Sequence, residues 1–119
     1  NILEFGNNIT QKSPIEFARS KLISTNTSGF SKEFYIEISH ITREFVEKSS
    51  FIRALEMTTA EIKLNHNMFL VNKTIFSDWI VLLEKADLIK YAKQPASISE
   101  MEKDKKKALD IIENILINE

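Results

Sequence analysis

On a helix, His40 shares a face with Glu44 at i+4 and Glu37 at i−3. A histidine beside carboxylates is the pairing that general acid–base catalysis uses, and it is half of a metal site. A zinc site needs three or four converging ligands, and nothing else in the sequence has the spacing to complete one. His40 therefore reads as a partner in a surface ion pair. His66, between Asn65 and Asn67, reads as a helix end. The chain has no cysteine, which excludes disulfides and thiolate ligands. A serine or threonine nucleophile needs a positioned base, and no G-x-S-x-G turn is present to expose one. Gly6 and Gly29 stand alone, so no glycine-rich loop can cradle a phosphate. The expectation is a domain with no catalytic residues, no metal and no cofactor.

Charge narrows the partners further. The 119 residues carry 16 basic and 17 acidic side chains, so there is no global field for nucleic acid or an anionic membrane. Lys103-Asp104-Lys105-Lys106-Lys107 is the one charge run, and it reads as a solvated helix face. The longest unbroken apolar run, Trp79-Ile80-Val81-Leu82-Leu83, is far short of the ~18 residues a membrane span requires. Hydrophobic content of 43% over this length suits one domain with its own core. Two glycines and two prolines are too few to punctuate many short strands, which favours long helices.

Those helices can be placed from caps and periodicity. Residues 1–12 are polar and aperiodic and read as a linker or loosely docked arm. The domain proper is residues 13–119. Ser13-Pro14-Ile15-Glu16 is a capping box with proline at the first helical position, opening a helix to about Ser24. A second helix starts near Ser31, with Phe34, Ile38, Ile41 and Phe45 forming a stripe at helical period. Ala54-Leu55-Glu56-Met57 is too short for a stable helix and reads as a strand. Thr58 and Glu61 box a third helix of about two turns. A fourth runs from about Asn72 to Lys85 and buries Ile75, Phe76, Trp79, Ile80, Leu82 and Leu83. Leu88-Ile89-Lys90-Tyr91-Ala92 alternates and reads as a second strand, paired with the first. Ser97 and Glu100 box the last helix, which turns Met101, Ala108, Leu109, Ile112 and Leu116 inward. The expected fold is mainly α: five helices with a short two-stranded β ribbon, in winged-helix-like order.

That order raises a DNA-binding regulator as the alternative function, with the 72–85 helix as recognition element. Its exposed residues would include Asp78 and Glu84, which repel phosphate, and no arginine is available to read guanine. No nucleic-acid partner is expected.

Three segments carry a family resemblance. They are Glu33-Phe34-Tyr35 with Thr42-Arg43-Glu44-Phe45-Val46-Glu47, then Ala54-Leu55-Glu56-Met57-Thr58-Thr59-Ala60-Glu61-Ile62, then Leu83-Glu84-Lys85-Ala86-Asp87-Leu88-Ile89-Lys90-Tyr91-Ala92-Lys93. In this order and spacing they resemble the cytoplasmic domain of BatD-like proteins. They equally resemble a small membrane-anchored protein of the same bacterial operons, which also encode a MoxR-type ATPase and von Willebrand factor A proteins. The resemblance covers roughly residues 14–117. It implies tethering by an upstream transmembrane helix at the cytoplasmic side of the bacterial inner membrane. It also implies a non-catalytic adaptor role beside the ATPase or the von Willebrand factor A proteins, in envelope stress tolerance or complex assembly. Tyr91 stands where the family often has phenylalanine, and Lys48-Ser49-Ser50-Phe51 replaces a more basic, glycine-containing turn. The domain is expected to be monomeric on its own.

The candidate partner-binding surface is where the second helix meets the second strand, at Arg43, Glu44, Asp87, Lys90 and Tyr91. An aromatic, a guanidinium and alternating charges are the residue types that anchor and register interfaces.

Overall fold

In the computed structural model, residues 13–91 and 95–117 are described. They form five α-helices: α1 (Pro14–Ser24), α2 (Ser31–Ser50), α3 (Thr59–Leu64), α4 (Lys73–Tyr91) and α5 (Ile98–Asn114). Single 3-10 turns, Ala54–Glu56 and His66–Met68, flank α3. The linker or arm expected at residues 1–12 lies outside the described residues.

The caps explain where the helices start. Ser13 with Glu16, and Thr58 with Glu61, are complete capping boxes. Ser97 accepts from the Glu100 backbone N–H, but the Glu100 carboxylate turns to Lys85 instead of closing the box. At α4, Asn72 Oδ1 accepts from the Ile75 N–H at 3.1 Å. The far end of α2 is less comfortable: Phe51 adopts a left-handed backbone with φ 58°.

α2 is the hub, packing against α1, α4, α5 and the turn at Ala54–Glu56. Its stripe of Phe34, Ile38, Ile41 and Phe45 is buried as the periodicity predicts. Trp79 sits fully buried, edge-on to Phe69 and Phe76, and its indole N–H donates to Thr42 Oγ1 at 2.9 Å. Met101, Ala108, Ile111 and Ile112 line the inner face of α5, and Ile115 just past its end is buried with them.

The β ribbon expected between Ala54–Met57 and Leu88–Ala92 does not form, and the described residues contain no strand. Leu88 to Tyr91 instead extend α4; Ala92 lies outside the described residues. The reason is propagation. Leu82, Leu83, Ala86 and Ile89 continue the helical spacing onto the core, and no glycine or proline interrupts the helix. Each further residue then adds a hydrogen bond without a new nucleation cost. At the other site, Ala54 N–H bonds to Ile52 O, Met57 N–H to Ala54 O, and Leu55 N–H to the Glu47 carboxylate. With its backbone satisfied locally and Ala54 buried, the segment has no need of a partner strand. The winged-helix order loses both of its strands. The nearest thing to a ladder is one antiparallel bridge, Val71 to Leu116, beside a 2.7 Å hydrogen bond from Asn72 N–H to Ile115 O.

Candidate functional site

The five residues proposed from sequence do not form one patch. Arg43 on α2 and Asp87 on α4 face each other through Thr59, the first residue of α3. Arg43 Nη2 donates to Thr59 Oγ1 at 3.1 Å, and Thr59 Oγ1 donates to Asp87 Oδ2 at 2.6 Å. Lys90 closes on Asp87 at 3.5 Å. Burial pushes the Arg43 guanidinium below its usual value, and the Asp87 charge opposes this. The arrangement ties three helices together. It leaves Arg43 Nε and the Ser39 hydroxyl, one turn apart on α2, buried without hydrogen-bond partners. Glu44 points elsewhere: Lys21 Nζ of α1 lies 2.9 Å away, and Lys48, one turn further along α2, lies at 3.7 Å. Partial desolvation raises the Glu44 carboxyl, but these two lysines and His40 outweigh it and hold it below the usual range. Tyr91, at the end of α4, is 86% exposed.

A second cluster was not foreseen. Asp104, in the middle of the lysine run, turns inward. Tyr35 donates to its Oδ2 at 2.5 Å, and Lys85 bridges it to Glu100 at 2.7 Å on each side. Burial is the chief cause that pushes the Tyr35 phenol far up, with the Asp104 hydrogen bond adding to it. Lys85 is lowered by desolvation and raised more by its two carboxylates, with a net rise. Lys105 also leaves the solvated face: its ammonium donates to the carbonyls of Ile23 and Thr25 at 2.7 and 2.8 Å, capping the end of α1. One signal was available. Asp104 and Lys105 follow Met101 by three and four residues and precede Ala108 by four and three, on the buried side of the helix.

The third feature is an open groove of about 620 Å³ where α3 and the His66–Met68 turn meet the first half of α4. Its floor is Phe69, Val71, Phe76 and Ile80, all buried. Its walls are Leu70, Val81 and Ile117, which are 77%, 57% and 51% exposed. Lys63, His66, Lys73 and Glu84 stand at its edge. Val81 lies opposite the side of α4 that packs on the core, and Leu88, two turns on, lies on the same outer line and is also exposed. Apolar residues on the outer side of a helix were the legible signal, masked by the unbroken run in which Val81 sits.

Among the described residues, no group of three or more His, Cys, Asp or Glu side chains could hold a metal ion. No helix among them is long and apolar enough to cross a membrane. No protein-family model, curated protein or solved structure matches the chain.

Proposed function

We propose that this is a non-catalytic protein-docking domain whose partner seats against the outer line of α4. The observation that carries the reading is the groove. Its buried aromatic floor is already part of the core, yet Leu70, Val81 and Ile117 stay in water beside it. An apolar concavity with exposed walls and a charged edge is the form that interface anchors fill. Leu88 and Tyr91 carry the same exposed line toward the end of α4, which keeps Tyr91 within the docking surface. Arg43, Asp87 and Lys90 hold the helices beneath it, and Glu44 fastens α1. The three-segment resemblance supplies the setting: a membrane-tethered adaptor at the cytoplasmic side of the inner membrane, working with a MoxR-type ATPase or von Willebrand factor A proteins.

The test is a capture experiment from a bacterium that encodes the chain, with the wild-type domain and Val81→Asp as paired baits. Val81 is exposed, so the variant keeps the fold, which thermal unfolding verifies. A protein held by the wild type and lost by the variant, and then titrated to the same result in purified form, supports docking at this surface. Equal capture by both baits, or turnover of a metabolite by the purified domain, refutes it.

A further inference from the structure

We infer that the groove takes an amphipathic helix of about three turns whose flank beside Lys73 is acidic. This rests on the docking reading and specifies the partner's chemistry. The length comes from α4 itself. Groove residues on that helix run from 73 to 84, roughly 16 Å at the helical rise, the length of a three-turn helix. The apolar part of the groove is matched by side chains at i, i+3 or i+4, and i+7 of a partner helix. Strand addition is not the mode: the described residues offer no sheet edge, and the Val71–Leu116 bridge is already paired.

The charge comes from the edge. Lys63 and Glu84 lie 3.3 Å apart and offset each other across the groove. Lys73 has no carboxylate partner among the described residues, whereas His66 Nδ1 lies 3.3 Å from the Lys63 carbonyl. Among the described residues, Lys73 is therefore the charge left unbalanced at the end of the groove where α4 starts. The partial positive charge of the α4 N-terminus adds to that field. A basic helix meets an uncompensated Lys73 there, and an acidic one neutralises it.

The test is a display selection of randomised 16-residue peptides on the wild-type domain, counter-selected on Val81→Asp. Enriched sequences are expected to share apolar residues at three- and four-residue spacing with net negative charge. A synthetic peptide from that set should shift the backbone amide signals of residues 66–84. Val81→Asp should weaken it about 30-fold or more, the scale of an interface hot spot. Lys73→Glu should weaken it by about tenfold in low salt and less in high salt, as an edge charge does. Enriched peptides that are basic, or that lack helical spacing, overturn the inference, as does a selection with no enrichment over Val81→Asp. If the selection fails while a native protein is still captured by the wild type and lost by Val81→Asp, the helix chemistry is wrong and the docking reading stands. Self-association of the wild-type domain that Val81→Asp abolishes gives the groove to a second copy of the chain, and also overturns the inference.

Discussion

Tyr35 and Phe51 show how much one position can carry. The Tyr35 phenol is enclosed against Asp104 and is held protonated far above its usual range by burial first and by that carboxylate second. A raised folded pKa means the contribution is complete below the unfolded value of ~10 and fades as pH rises beyond it. Tyr35→Phe should cost about 1–3 kcal/mol near neutrality, because Asp104 loses a donor while staying buried. The same variant should flatten the loss of stability above pH ~10, and urea unfolding at neutral and alkaline pH measures both. Phe51 is the opposite case. Its ring is 92% exposed and gains little from packing, while its left-handed backbone is unfavourable for any residue with a side chain. Phe51→Gly should stabilise by up to ~1 kcal/mol, read as a raised Tm, because the relief of backbone strain exceeds the added flexibility of the unfolded chain. If Tm falls instead, the ring has a packing role that its exposure hides.

The helices were legible wherever a cap and an apolar stripe coincide. Ser13-Pro14, Thr58–Glu61 and Ser97 mark true starts, and Phe34, Ile38, Ile41 and Phe45 mark a true face. Short segments without caps were not legible. Alternation over Leu88–Tyr91 is only a few residues long, and a helix arriving from Trp79 with its face still buried outweighs it. The link between Arg43 and Asp87 through Thr59 was not legible, because a hydroxyl bridge leaves no charge pattern in the sequence. That hydroxyl links α3 to both α2 and α4. Thr59→Val keeps the shape and removes the bridge, leaving Arg43 and Asp87 without their shared partner. Denaturant unfolding should show a loss of about 1–3 kcal/mol, concentrated in α3 when followed by amide exchange. An unchanged midpoint would mean that water replaces the hydroxyl at no cost.

Across the whole molecule, α1 is held by polar ties at both its edges as well as by Ala18 and Leu22. Arg19 pairs with Glu113 of α5, Lys21 with Glu44 of α2, and Lys105 caps its last carbonyls. Glu44, Glu100 and Glu113 all have carboxyls held below the usual range: for Glu44 the lysines outweigh desolvation, for Glu100 the cause is Lys85, and for Glu113 it is Arg19. Depressed folded values contribute stability above the unfolded pKa of ~4.3 and lose it as pH falls through the folded ones. The domain should therefore weaken on acidification below pH ~4, and Glu44→Gln should make that decline shallower. Glu44 is the informative position, because Glu100 and Glu113 are solvent-screened.

The hydrogen bond from Asn72 to Ile115 also sets a clock. It closes the chain on itself at one end of the groove, with Leu70 and Val71 on one side and Ile117 on the other. Solvent deuterium reaches the Asn72 amide only when that closure opens. An occupant spanning Leu70 and Ile117 holds both sides together, so the amide should exchange more slowly in proportion to the time the groove is filled. Exchange at that one nitrogen, followed by NMR with and without peptide, reports residence directly. An amide that exchanges at the same rate in both states would show that the occupant does not bridge the two sides.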